Sequence, residues 1–132
     1  MMIPQTGASL ATYQTGIADS WIDYNGHVSD SAYPAIIAAA NELLFEEMDL
    51  SSGYRHRTGC TFYTVEVHIY YHAEVLAGDL LRAVTTITEA TDKRIRMSTS
   101  LLRRDDVVAA RAEHVYVHVD QSIGRVVPFT PQ

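Results

Sequence analysis

The chain has 132 residues, 47% of them hydrophobic and 20% charged, which suits a single domain over residues 1–132 built on one core. A net charge of −6 argues against a broad nucleic-acid-binding face, although a local basic cluster can still grip a phosphate-bearing ligand. The lone Cys60 cannot form an internal disulfide, the first ten residues lack a basic and then apolar leader pattern, and no apolar run reaches membrane-spanning length, so a soluble protein in a reduced cytoplasmic setting is expected.

In chain order, Leu10–Ala18 reads as a short strand ending at Asp19 and Ser20. From Ser31 to Met48 the apolar positions Tyr33, Ile36, Ile37, Ala40, Leu43, Leu44 and Met48 follow three-and-four spacing and predict the one long helix. Ser29 or Asp30 can cap it, and Pro34 requires a start close to residue 30, because an interior proline costs about 3 kcal/mol. Asp49–Gly59 reads as a polar loop. Cys60–Ala73, Leu80–Glu89, Arg94–Arg103 and Val107–Asp120 are β-branched or aromatic and roughly alternating, so four strands follow, expected to pair consecutively as an antiparallel meander through Gly78-Asp79, Thr91-Asp92 and Asp105-Asp106. Gly124–Gln132, with two prolines, reads as an extended end. The result is an α+β pattern in which the sheet must cover the helix's apolar stripe.

The junction between the first strand and the helix carries the chemistry. Asp23, Tyr24, Asn25, Gly26, His27, Val28 and Ser29 set a carboxylate and a glycine turn just ahead of the unpaired N–H groups of a helix N-terminus, around Ser29 to Ser31. Those donors, at the positive end of a helix dipole, suit the oxyanion of a carbonyl under attack. Asp23 would then attack the carbonyl carbon or activate a water. Gly26 permits either a sharp turn or close ligand approach.

The string W-I-D-Y-N-G-H-V-x-x-x-x-Y from Trp21 to Tyr33 resembles the D-x-x-G-H-V/M signature of hotdog-fold acyl-CoA thioesterases of the 4-hydroxybenzoyl-CoA thioesterase type. With F-Y-T-V-E-V-H-I-Y-Y from Phe62 and G-R-V-V-P-F from Gly124, it is also similar to betainyl-CoA thioesterases and to the thioesterase domain of some carnitine dehydrogenases. The resemblance implies a hotdog fold, a long central helix wrapped by a five-stranded antiparallel sheet, and a homodimer or dimer of dimers with sites built between subunits. It places Asp23 as the catalytic acid and the backbone N–H of Asp30 as the group polarising the carbonyl. His27 is a further candidate for the catalytic set, either as a brace that holds this loop by hydrogen bonding, the favoured reading, or as a proton-transfer group. Asn25 holds the loop or touches substrate, and Ser29 stands where the related motif usually has Asn.

Strict alternation puts Phe62, Thr64, Glu66, His68 and Tyr70 on one strand face, and Tyr63, Val65, Val67, Ile69 and Tyr71 on the other. Glu66 and His68 are either surface residues or part of an acyl pocket across a subunit interface. Eight Tyr and one Trp against three Phe give rings with polar handles. Trp21, Tyr24, Tyr70 and Glu66 are candidates for holding a quaternary ammonium by cation–π attraction, unless the rings simply fill the interior. Lys93, Arg94 and Arg96, with Arg103 and Arg104 further along, form either a CoA phosphate grip or a solvated basic turn. No metal site and no cofactor are expected: four-residue histidine spacing in a strand separates the rings by about 13 Å. The leading reading is acyl-CoA hydrolysis. A hotdog hydratase or dehydratase using Glu66 and His68, and a non-catalytic acyl-CoA-binding module, are the alternatives.

Overall fold

A computed structural model describes residues 9–129. Strand β1 (Ser9–Gly16) leads through a 3-10 turn at Asp19–Trp21 to a second at Asp30–Ala32, which runs into helix α1 (Tyr33–Glu47). Helix α2 (Ser52–Thr58) precedes β2 (Cys60–Tyr71), and β3 (Leu80–Ala90), β4 (Arg94–Leu102), β5 (Val108–Asp120) and the two-residue β6 (Arg125–Val126) complete the order. The antiparallel sheet runs β1-β3-β4-β5-β2, with β6 beside β5. It wraps α1, the hotdog arrangement. Ile36, Ile37, Ala40 and Leu44 form the helix's buried stripe, packed against sheet residues including Leu81, Leu101, Ile87 and Met97.

The Ser29 cap opens the 3-10 turn, and α1 itself starts one turn later, at Tyr33, where Pro34 requires, with Ala32 at its N-cap and no side-chain cap of its own. The Ser31 N–H donates to the Ser29 hydroxyl at 3.3 Å, and Pro34 sits in the first turn of α1, where its missing N–H is no loss. Polar groups also enter the core. Asn41 donates to the Tyr116 hydroxyl at 2.8 Å and accepts from Thr99 at 2.8 Å and Thr85 at 3.3 Å, so one buried side chain ties α1 to three strands.

Three expectations need correction. Residues 49–59 are not all loop, because Ser52–Thr58 is helical and ends on Gly59 at φ +76°. The meander holds only for β3-β4-β5: β2 pairs with β5 at the far edge, not with β3. The crossing segment packs beneath the Asp23 loop instead of turning tightly, with Val75 fully buried and its carbonyl accepting from Val28 N–H at 2.8 Å. Third, β2 does not alternate throughout. A bulge between Thr64 and Glu66 sets two residues against one of β5. Opposed residues share a face, so Phe62 and Thr64, opposite His118 and Tyr116, face the helix, whereas Glu66, His68 and Tyr70, opposite Val115, Glu113 and Arg111, face outward. Val67, Ile69 and Tyr71 take over the inner face.

Candidate active site

The D-Y-N-G-H segment folds as a tight hairpin. Gly26 N–H donates to the Asp23 carbonyl at 3.0 Å, Asp23 N–H donates to the His27 carbonyl at 3.2 Å, and Ile22 bridges Val28. This is a turn closed by a left-handed glycine: Gly26 has φ +83°, and a Cβ built there meets no atom within 4 Å. Backbone conformation, not crowding, therefore calls for glycine. The Asp23 carboxylate closes the turn from inside, its Oδ1 accepting the Asn25 N–H at 2.8 Å. What His27 contributes to the turn here is backbone alone, which also bridges Leu76.

This hairpin forms one wall of a cavity of about 660 Å³ lined by Asp23, Tyr24, Asn25, His27, Ser29 and Asp30, with Tyr33 behind. The helix start is the floor. Ser29 N–H is taken by the Trp21 carbonyl at 2.8 Å and Ser31 N–H by the Ser29 hydroxyl, but the Asp30 N–H has no acceptor among the described residues. The unpaired donor at residue 30 and the carboxylate of Asp23 thus border one space, the pairing that attack on a carbonyl needs.

The opposite wall was not foreseen. Tyr71, His72, Ala73 and Glu74, from the end of β2 and the crossing segment, line it. The Tyr71 hydroxyl donates to the Asp30 carbonyl at 3.2 Å, and its ring meets Tyr33 edge-on with centroids 5.1 Å apart. Burial, then the Asp30 charge, pushes the Tyr71 phenol above its ordinary range; burial, then Tyr71, does the same for Tyr33. Both stay neutral donors at ordinary pH. The bulge in β2 brings Tyr71 inward, and strict alternation missed it.

Other candidates lie elsewhere. Trp21 packs on the core, and Tyr24 is 97% exposed at the hairpin tip. Glu66 and His68 pair with each other at 2.6 Å on the outer sheet face, which holds the Glu66 carboxyl below its usual range, and Tyr70 lies under the Arg111 guanidinium at 4.6 Å. The set Trp21, Tyr24, Tyr70 and Glu66 is not brought together in the chain. Arg94 pairs with Glu89 at 3.2 Å, and neither it, Lys93 nor Arg96 lines this cavity. Arg103 does reach the unforeseen wall, donating to the Glu74 carbonyl at 2.9 Å. Among the described residues no helix is long and apolar enough to cross a membrane, and no cluster of three His, Cys, Asp or Glu could hold a metal ion.

Comparison with known proteins identifies the family. A family model described as the thioesterase-like superfamily matches residues 17–132. The betainyl-CoA thioesterase of Pseudomonas aeruginosa is 30% identical over 121 residues, 91% of this chain and 76% of its own. The L-carnitine dehydrogenase/betainyl-CoA thioesterase of Agrobacterium fabrum is 34% identical over 127 residues, 96% of this chain, so that the chain spans 26% of that longer relative. A hypothetical protein of Staphylococcus aureus, solved in complex with CoA, superposes with a TM-score of 0.88 at 25% identity, over 98% of this chain and 80% of that one. The fold is also that of a 1,4-dihydroxy-2-naphthoyl-CoA thioesterase from Synechocystis, with a TM-score of 0.80 at 21% identity over 90% of this chain and 88% of that one. With a family model matching residues 17–132 and relatives at 30% and 34% identity over most of its length, the chain belongs to the thioesterase-like superfamily.

Proposed function

We propose that this protein, acting as a single hotdog domain, hydrolyses short acyl-CoA thioesters to free acid and CoA, with betainyl-CoA as its substrate. The observation that carries the reading is the shared cavity of the Asp23 carboxylate and the unpaired Asp30 N–H. The thioester oxygen accepts from that N–H, which stabilises the charge developing on it. Asp23 then follows one of two routes. As nucleophile it forms a mixed anhydride, the C–S bond breaks, CoA leaves as thiolate and takes up a proton, and water cleaves the anhydride to acid and free Asp23. As general base it takes a proton from a water that attacks the carbonyl carbon; the tetrahedral intermediate then collapses, the C–S bond breaks, and the CoA thiolate takes up that proton, leaving free acid and Asp23 as a carboxylate.

The substrate assignment rests on the relatives' names and on the same motif. The hydratase reading loses its support, since Glu66 and His68 lie on the outer sheet face, away from the cavity. The site works in a homodimer or dimer of dimers: β2 is an edge strand whose Tyr63, Val65, Val67 and Tyr71 are exposed, and an exposed apolar edge is covered most simply by a second copy. The free Cys60 thiol fits the reducing cytoplasm.

A panel of acyl-CoA substrates tests the reading by free thiol release. Hydrolysis yields thiol, hydration changes the acyl absorbance without thiol, and a binding module does neither. Betainyl-CoA is expected to show a higher kcat/KM than its neutral isostere 3,3-dimethylbutyryl-CoA. Thiol release with equal or reversed preference would remove the quaternary-ammonium assignment alone.

A further inference from the structure

The donor on which the proposed chemistry turns is a single N–H, so whatever fixes its direction decides how well it meets a thioester oxygen. Asp30 sits between two peptide units. The Ser29–Asp30 unit, which carries that N–H, is held at its other end, where the Ser29 carbonyl accepts the Ala32 N–H at 3.0 Å. The Asp30–Ser31 unit has a weaker hold within its own segment. Its N–H reaches the Ser29 hydroxyl only at 3.3 Å, and the partner an α-helix would give the Asp30 carbonyl is the N–H of residue 34, which is proline and has none.

The Tyr71 hydroxyl supplies the missing donor. It reaches the Asp30 carbonyl at 3.2 Å, across 41 positions of sequence, and the ring that carries it is itself fixed. Tyr71 ends β2, where pairing with Ala110 sets its backbone. Its ring stands at 89° to that of Tyr33, which is 3% exposed and so gives a rigid surface to lean on. Burial and then the Asp30 charge disfavour the phenolate, so the hydroxyl keeps its proton at neutral pH. That one proton is committed to the Asp30 carbonyl, and the hydroxyl therefore acts on the reaction through Asp30 and not on the thioester.

Resting on the thioesterase reading above, we infer that Tyr71 is a positioning residue for hydrolysis: by fixing the Asp30–Ser31 peptide it holds the Asp30 backbone, and with it the unpaired N–H, in the direction that polarises the thioester carbonyl. Freed of this bond, the Asp30–Ser31 unit can rock, and because both units share the Asp30 Cα, the N–H on the other side rocks with it. The donor is thus aimed from the end of β2 as well as from the helix start.

Tyr71→Phe tests this, since it removes the hydroxyl and keeps the ring against Tyr33. With betainyl-CoA, or the acyl-CoA of the panel that the wild type hydrolyses fastest, kcat is expected to fall about tenfold, less than the loss of about 10²- to 10³-fold that follows outright removal of an oxyanion donor. KM should change by less than about twofold. The deciding readout is infrared, because a purely structural role would leave it unmoved. A ketone analogue of the substrate, with a methylene in place of the thioester sulfur, binds without turnover, and the stretch of its isotope-labelled carbonyl falls when a hydrogen bond weakens the C=O bond. In the wild type the bound band should lie below that of the free analogue, and in Tyr71→Phe it should move back toward the free position. A Tyr71→Phe protein with wild-type kcat overturns the positioning role, and so does a lowered kcat with an unmoved band. A raised KM at unchanged kcat overturns it too, making the hydroxyl a substrate-binding group. A wild type that releases thiol from no acyl-CoA overturns the thioesterase reading instead, a result distinct from all of these.

Discussion

Replacing Asp23 by Asn separates chemistry from architecture, because the structure gives its carboxylate one job and the proposed mechanism a second. One is to accept the Asn25 N–H at 2.8 Å and close the hairpin; an amide oxygen does this as well, so the turn should survive. The other is to attack or to take a proton, which an amide cannot do at neutral pH. The hydrogen bond is worth about 1 kcal/mol, whereas losing a general base or nucleophile costs about 10²- to 10⁴-fold in rate, or about 2.7 to 5.4 kcal/mol of barrier. Steady-state thiol release should therefore show kcat down at least about 100-fold, with an unchanged melting curve. Asp23→Ala should lose the same activity and also about 1 kcal/mol of stability, since it removes the acceptor too. An Asp23→Asn protein retaining more than about a tenth of wild-type kcat would refute the role of this carboxylate.

Other predictions address the scaffold. Gly26→Ala places a Cβ in open space but at φ +83°, so it should cost about 1 kcal/mol of backbone strain and lower Tm by about 3–5 °C; an unshifted melt would show that the turn tolerates a side chain. Asn41→Leu leaves the buried Tyr116 hydroxyl and the Thr85–Thr99 pair without their shared partner, and urea unfolding should report a loss of about 2–4 kcal/mol. His114 governs a pH response. Burial holds its folded-state pKa below the ordinary 6.5, so the unfolded chain binds more protons once pH falls through that value, and stability declines on acidification toward the folded pKa. Melts of His114→Phe at pH 7.5 and 5.5 should differ less than those of the wild type, and an equal drop in both would assign the acid sensitivity elsewhere.

What the chain carried by itself was local. The D-Y-N-G-H turn, the 3-10 turn that opens the helix and the long apolar stripe are each decided within a few residues, by a left-handed glycine, the Ser29 hydroxyl and three-and-four spacing, while α1 itself starts at Tyr33, a turn beyond the cap. The motif needed no distant contact to name Asp23. What depended on tertiary structure was everything set by strand pairing. The short helix at Ser52–Thr58 contains only one buried residue, Tyr54, too few to leave a periodic signal. The placement of β2 beside β5 and the bulge at Thr64/Glu66 arise from pairing between residues far apart in the chain. One extra residue turned Glu66, His68 and Tyr70 outward and Tyr71 inward, because side chains in a strand alternate and a single insertion reverses every position beyond it.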